Sequence, residues 1–396
     1  MKYDSGLEYG LSVLREAFDV DDLADKHIIC WGFNVGARMC IWYFHSIGVT
    51  KITIVDNDER ARKLYPHYCG VPMRKPEEVF ENGDENFLII VSSRSGEDIR
   101  KNALLLNPKL EERIHLFFLQ DRGKMFPKAF AQGEYSQQMN LQECQCELLK
   151  MMTYFHAFCE KHQLTYFLMG GSLLGAIRHK GFIPWDDDID VEMPLEDYIR
   201  LSELMSSEYE YDYLSIFCGE KELSAISTLG QLVSRTTCSE YYNFPLRSDQ
   251  GLTLDIWPLV NFPQTSEEQM QYEHELVEAG NLWKERVVMG YASSTYNRDM
   301  HKEMVSYIKA IMGKYTNERT DYIGSGYCGQ FENYHRMRRA FPKEVYRSKR
   351  LAEFEGESFW IPEHYDETLK LYYGNYMELP PMAKRTPQTY RKVYRR

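Results

Sequence analysis

The sequence predicts a chain in two parts, a parallel α/β sheet followed by an α+β domain with helical additions. Three observations predict it. The 396 residues exceed the roughly 250–300 over which a single core keeps growing. Short, wholly apolar runs alternate with helical patterns over residues 1–125, as in a parallel sheet covered on both faces. From 126 to 396 the periodicities mix, with one long helical stripe and strands that alternate apolar and polar. Hydrophobic residues are 43% and charged residues 27%, ordinary for a globular chain, so disorder and collagen-like structure are excluded. The net charge of −12 argues against wrapping nucleic acid, because phosphate neutralisation needs a basic face.

In order, His27–Gly32 (HIICWG) reads as the first strand and Val35–Ile47 as a helix. Strands follow at Lys51–Val55, Phe87–Val91 and Arg113–Leu119, with a helix at Glu97–Leu106. Gly123–Pro127 (GKMFP) reads as a linker. Leu141, Cys144, Leu148, Met152, Phe155 and Cys159 recur at steps of three and four, the apolar stripe of a helix reaching about His162. Thr165–Met169 is β-rich and meets Gly170-Gly171-Ser172, which opens a short helix. Asp188–Glu192 reads as a strand, Leu195–Met205 as a helix and Leu252–Leu259 as a half-buried strand. Thr265-x-x-Glu268 has the form of a capping box at the head of a helix over 266–291, and the remainder reads as mixed and mostly helical. Nine cysteines at scattered spacings, none in CxxC, predict reduced thiols in a cytoplasmic protein. Cys144 and Cys146, two apart on a helix, point to different sides. No apolar run reaches the roughly 20 residues of a spanning helix, and the N-terminus is too polar for a secretory signal.

The densest chemistry lies in Gly170–Val191, GGSLLGAIRHKGFIPWDDDIDV. Asp188 and Asp190 share a strand face while Ile189 and Val191 point into the core. Asp186 and Asp187 fall in the approach loop as accessory carboxylates. Two carboxylates about 6 Å apart repel by ~3 kcal/mol at an effective dielectric of 20. A divalent cation removes that penalty, and hard oxygen ligands suit Mg²⁺ or Mn²⁺. Gly171 and Ser172, at a strand–helix turn, let backbone N–H groups face a phosphate. Arg178, His179 and Lys180 add cationic groups near the carboxylates. A third carboxylate is expected from a later strand, and Asp255 is the candidate, on the face opposite Leu254 and Ile256.

Strand, GGS turn, helix, D-x-D strand and a third Asp on a later strand resemble the DNA polymerase β-like nucleotidyltransferase fold. The run LMGGSLLGAIRHKGFIPWDDDIDVEMP resembles the LicD family of phosphocholine and polyol-phosphate transferases. LVSRTT at Leu232–Thr237, GLTLDIWPL at Gly251–Leu259, FEGESFWIP at Phe354–Pro362 and YYGNYMELPP at Tyr372–Pro381 extend the likeness. The resemblance covers about residues 140–385. It departs at Val260-Asn261, where the family often has a second Asp, and at Lys384-Arg385, where a His commonly follows the proline motif.

The resemblance implies transfer of a phospho-alcohol group from a CDP-linked donor to a sugar hydroxyl of a cell-surface glycan or its lipid-linked precursor. Asp188, Asp190 and Asp255 would hold Mg²⁺ or Mn²⁺ and carry catalysis. Gly171, Ser172, Arg178 and Lys180 would hold the donor diphosphate. Trp185 would stack on a base or cage a quaternary ammonium, with loop packing as the alternative. Two rivals remain: a nucleotidyltransferase that releases pyrophosphate from a nucleoside triphosphate, and a non-catalytic nucleotide-sensing scaffold.

Gly32-Phe33-Asn34-Val35-Gly36-Ala37 follows a strand and opens a helix, and Asp56 ends the next strand, so Gly32, Gly36 and Asp56 are the weak nucleotide-turn candidates. Asn34 replaces the middle glycine of the fingerprint. The unit resembles the Rossmann-like domains appended to polysaccharide enzymes, and a packing or docking role is favoured over bound NAD. Arg336–Arg350 holds seven Lys or Arg, and the tail after Leu379 holds six with no Asp or Glu. A phosphate-rich acceptor, peripheral contact with an anionic inner membrane face, and plain solvation all stay open for them.

Overall fold

The computed structural model describes residues 14–15, 17–18, 23, 25–33, 35–59, 62, 67–68, 70–80, 86–91, 96–116, 137–207, 213–216, 229–240, 251–283, 298–328, 340–382, 385–386 and 392–395. The chain divides into two compact units, Met1–Gln132 with Tyr242–Ser248, and Gly133–Tyr241 with Asp249–Arg396.

Unit 1 is a six-stranded sheet in the order β3-β4-β2-β1-β5-β6. Its strands are β1 His27–Trp31, β2 Ile52–Val55, β3 His67–Tyr68, β4 Val71–Arg74, β5 Phe87–Val91 and β6 Ile114–Leu116. All pairings are parallel except the β3–β4 edge hairpin. Every residue of β2 and β5 is buried, as expected where helices cover both faces of a parallel sheet. The helices among the described residues include α1 Val35–Ser46 and α3 Gly96–Leu106, close to the predicted bounds, and the short α2 Pro76–Phe80, which was not predicted. Residues 117–119 of the strand predicted at Arg113–Leu119, the linker at Gly123–Pro127, and Asn34 lie outside the described residues.

Unit 2 is built around β13, Thr253–Phe262, the longest strand. β9 (Ile189–Pro194) runs parallel along one of its edges. β11 (Gly230–Ser234) and β14 (Tyr322–Ser325) pair antiparallel with its two halves. β8 (Phe167–Leu168), β10 (Tyr213–Ile216) and β15 (Ala340–Pro342) complete the seven-stranded sheet. Helix α4, Leu141–His162, starts at a capping box in which Asn140 and Glu143 satisfy each other's backbone N–H groups, and ends at Gln163 in the left-handed region (φ 56°). The predicted stripe faces inward: Cys144, Leu148, Met152, Phe155 and Cys159 join Ile189, Val191, Leu254 and Ile256 in one core. Cys144 is buried and Cys146 exposed, and neither is in a disulfide.

Helix α5 (Gly170–Arg178) and helix α6 (Leu195–Ser207) flank β9. The Thr265 hydroxyl and backbone N–H both bond to Glu268 Oε2, so the predicted capping box opens α7, Ser266–Trp283. Residues 284–291 of that predicted helix lie outside the described residues. The C-terminal part departs from the mostly helical expectation. Beside α8 (Arg298–Met312) and α9 (Tyr365–Tyr373) it contains β14, β15, the hairpin β16–β17 (Lys349–Phe354 and Glu357–Pro362) and β18 (Lys392–Arg395), which pairs with β7 (Gln137–Met139) and β12 (Thr237–Glu240). The hairpin turns at Glu355 (φ 52°) and Gly356 (φ 82°), the two positive φ values that a type I′ turn requires. Its strands, KRLAEF and ESFWIP, mix charged and apolar residues too irregularly to signal a strand by alternation.

Candidate active site

Two adjacent parallel strands carry one part of the site. Asp190 on β9 lies in register with Asp255 on β13, and Glu192 with Trp257. Ile189, Val191, Leu254 and Ile256 fill the core on the other face, as the alternation requires. Trp257 Nε1 donates to Asp190 Oδ1 at 3.0 Å, and Gln231 Nε2 donates to Asp255 Oδ1 at 2.9 Å. Burial first, then the charges of Asp188 and Asp255, push the Asp190 carboxyl well above the usual carboxylate range; the Trp257 bond offsets this in part.

The approach loop carries the other part. Gln145, on α4, donates to the carbonyl of Asp186 at 2.9 Å and to that of Ile183 at 3.4 Å. This pins a loop in which Asp186 and Asp187 are both buried. Carboxylate oxygens of Asp186, Asp187 and Asp188 lie within 4.8 Å of one another. Burial, then Asp188 and Asp187, push Asp186 up to about 8, with a hydrogen bond shared with Asp188. The two loop carboxylates read as accessory from sequence therefore belong to the tightest cluster, with the Asp190–Asp255 pair beside it. Strand periodicity assigns faces only to strand residues and says nothing of loop carboxylates.

The glycine turn serves this cluster directly. Gly170 takes a φ of 53°. A Cβ on Gly171 would stand 2.6 Å from Asp186 Oδ2, so the missing side chain admits that carboxylate to the first turn of α5. Ser172 is buried, and its hydroxyl accepts the backbone N–H of Asp190 at 2.9 Å. Its role here is to tie the glycine helix to the carboxylate strand.

The basic groups divide. Arg178 ends α5 and donates to the carbonyls of Tyr376 at 2.7 Å and Glu378 at 3.3 Å. Burial lowers its pKa, the nearby Tyr373 raises it, and the charge of Arg385 lowers it further. Lys180 sits in a left-handed turn (φ 61°) with an exposed side chain. Its carbonyl accepts from the N–H of Glu355 at 2.8 Å, and no bond or ion pair joins its ammonium to the carboxylates among the described residues. Trp185 is half-buried against the core, with the Arg385 guanidinium 5.6 Å from its ring centre.

Two residues at the site have no role in the sequence reading. Tyr373, within the YYGNY motif, brings its hydroxyl 3.8 Å from the position of a Cβ on Gly170, and Asp186, Asp190 and Asp188 all act on it. Arg385 enters the sequence reading only in a basic tail and as a departure from the family motif, with no role assigned. In the basic stretches generally, cations meet internal partners: Lys343 bonds to the Thr320 carbonyl, Lys349 lies over Trp360, and Arg395 pairs with Glu143. Residues 336–339 lie outside the described residues.

In unit 1, Gly32 ends β1 with a φ of 91°. Asp56 accepts the N–H of Phe33 on Oδ2 at 2.7 Å and that of Asp58 on Oδ1 at 2.8 Å. Gly36 lies in the first turn of α1. Asp56 thus holds the glycine turn itself. No helix among the described residues is long and apolar enough to cross a membrane.

Residues 163–279 match the model of the LicD/FKTN/FKRP nucleotidyltransferase domain, a span that contains both carboxylate strands and the approach loop. The chain is 30% identical over 270 residues to the lipopolysaccharide cholinephosphotransferase LicD of Haemophilus influenzae, covering 65% of this chain and 98% of that protein. It is 28% identical over 115 residues to the ribitol 5-phosphate transferase FKRP of mouse, covering 29% of this chain and 21% of that protein. The human FKRP protein gives the same identity and coverage. With nearly the whole of a relative matched, this chain belongs to the LicD family and is a phosphotransferase.

Proposed function

We propose that this enzyme transfers a phospho-alcohol group, phosphocholine-like or polyol phosphate, from a CDP-linked donor to a sugar hydroxyl of a cell-surface glycan or its precursor. The observation that carries the reading is the convergence of Asp186, Asp187 and Asp188 beside the Asp190–Asp255 pair. Left to themselves, such carboxylates hold protons, as the upward shift of Asp186 indicates. An all-oxygen donor set fits a hard divalent cation, Mg²⁺ or Mn²⁺. Asp186, Asp187 and Asp188 would hold it, with Asp190 and Asp255 adjoining. Bound there, it supplies charge neutralisation to a phosphoryl group.

The sugar oxygen attacks the phosphorus that bears the alcohol, the bond from that phosphorus to CMP breaks, and the hydroxyl proton passes to a carboxylate. Asp255, oriented by Gln231, is the group we assign to that proton. The activities of the relatives, cholinephosphate and ribitol 5-phosphate transfer, are both of this class. We read unit 2 as a DNA polymerase β-like nucleotidyltransferase fold. Unit 1, with strand order β4-β2-β1-β5-β6, we read as a Rossmann-like domain for packing or docking, since Asp56 serves the glycine turn. The reading carries a cytoplasmic location, at the inner membrane face where the acceptor is lipid-linked. Product analysis tests it: CMP from a CDP-alcohol supports transfer, whereas pyrophosphate from a nucleoside triphosphate overturns it in favour of nucleotidyl transfer.

A further inference from the structure

We propose that Arg385 is a donor-binding residue: its guanidinium and that of Arg178 clamp the donor phosphates, and its position over Trp185 bars a quaternary ammonium from that ring. The proposal rests on the phospho-alcohol reading above and narrows it to donors whose alcohol is uncharged.

The two guanidiniums meet the same pair of rings: Arg178 Nε bonds to His179 Nδ1 at 3.4 Å, His179 meets Trp185 edge-on at 6.4 Å, and Arg385 lies 5.6 Å from the Trp185 ring centre. Neither forms an ion pair with a carboxylate among the described residues; each is held by backbone carbonyls. Arg178 uses Nη1 on Tyr376 and Glu378 and Nε on His179. Arg385 uses Nε on the carbonyl of Pro380 at 2.8 Å. That bond fixes the side chain, and among the described residues both Nη groups, the prongs of the fork, are left for another acceptor. Two like charges held together without a counter-charge are a site for an anion, and a guanidinium fork matches phosphate oxygens two at a time.

The ring of Trp185 gives the specificity. It packs against the core cluster, meets His179 edge-on at 6.4 Å, and carries Arg385 at 5.6 Å. An aromatic ring attracts a cation through its face, and here the protein's own cation takes that place. A trimethylammonium group would have to displace Arg385 and then sit beside Arg178. A neutral polyol meets no such repulsion, and its hydroxyls can accept from the same forks.

The first experiment is calorimetric titration of inorganic pyrophosphate into the full chain with excess Mg²⁺. Arg385→Ala should weaken binding by about tenfold or more, the loss of charge-assisted bonds. Arg385→Lys keeps a point charge without the fork and should restore only part. Arg347→Ala, whose partner is the exposed Glu344, should change nothing. Melting curves show whether each variant is folded; if Arg385→Ala melts early, Arg385→Lys carries the comparison. Unchanged pyrophosphate affinity in a folded Arg385 variant overturns the clamp, as does a wild-type chain that binds no pyrophosphate. The second arm compares CDP-ribitol with CDP-choline. The wild type should bind CDP-ribitol more tightly, and Arg385→Ala should narrow the gap. Tighter binding of CDP-choline overturns the bar on the ammonium. A clamp that behaves as expected in a chain that consumes neither CDP-alcohol supports the anion site and fails the transfer reading instead.

Discussion

Gly171 makes room for Asp186: a Cβ at Gly171 would stand 2.6 Å from Asp186 Oδ2, closer than such atoms approach. In Gly171→Ala either the carboxylate or the first turn of α5 must move. Alanine is the better helix residue by roughly 0.5–1 kcal/mol, but the forced shift costs about 1–3 kcal/mol, so the melting temperature should fall slightly. Turnover should fall by about a hundredfold, the scale of an ångström-sized misplacement. Retained activity at saturating Mg²⁺ would remove Asp186 from the metal-binding group.

Asp188→Asn and Asp190→Asn separate chemistry from folding. Each removes one carboxylate from a mutually repelling set, and asparagine can still accept the Trp257 N–H at position 190. The metal-free variants should melt no lower than the wild type, while turnover is abolished. An active Asp190→Asn enzyme would shift the catalytic assignment wholly onto the loop.

Much of this site is legible before any coordinates. Apolar periodicity places α4, and period-two alternation puts Asp190 and Asp255 on one face with Ile189 and Leu254 on the other. The contacts that decide function are not local. Gln145 pins a loop 41 residues away, Arg178 bonds to a carbonyl 198 residues away, and Glu355 accepts the N–H of Phe182 across 173 residues. No periodicity records which loop atom a distant side chain meets. That is why the tie from the Ser172 hydroxyl to Asp190 and the place of Asp186 and Asp187 in the cluster could not be read from the sequence. The irregular hairpin carrying Glu355 was illegible for a related reason: its signal lies in the Glu355-Gly356 turn, while its strands show no clean alternation.

The buried carboxyls set a pH dependence of known sign. Asp186 and Glu192 are both pushed up to about 8, each chiefly by burial. Both therefore bind protons more tightly in the folded chain than in the unfolded chain, where carboxyls titrate near 4. Their stabilising contribution is full below about pH 4 and is lost as pH rises through about 8. The metal-free protein should melt at progressively lower temperature from pH 5 to pH 8. Excess Mg²⁺ should flatten that slope, because the ion binds the deprotonated folded state and compensates more at high pH. A metal-free melting temperature that climbs over this range would mean the carboxylates are charge-compensated by the protein itself.

Tyr373 gives the last test, because its hydroxyl stands where Gly170, Arg178 and the carboxylates meet. Burial of the hydroxyl end and the charges of Asp186, Asp190 and Asp188 raise its pKa, so it stays protonated and is a hydrogen-bond donor throughout the working range. A phenolic donor beside a site for phosphoryl groups can bond to an oxygen that gains charge during transfer. Such a bond to a charged group is worth about 1.5–3 kcal/mol, so Tyr373→Phe should lower kcat about ten- to a hundredfold. The ring is partly exposed, 42%, and Phe keeps its packing, so the melting temperature should barely change. Where the hydroxyl acts only in the transition state, KM for the donor is unaffected. Where it also holds the ground-state donor, KM rises while kcat changes less. A Tyr373→Phe enzyme with wild-type kcat and KM would reduce the tyrosine to a packing residue of the YYGNY motif and leave donor recognition to the arginines.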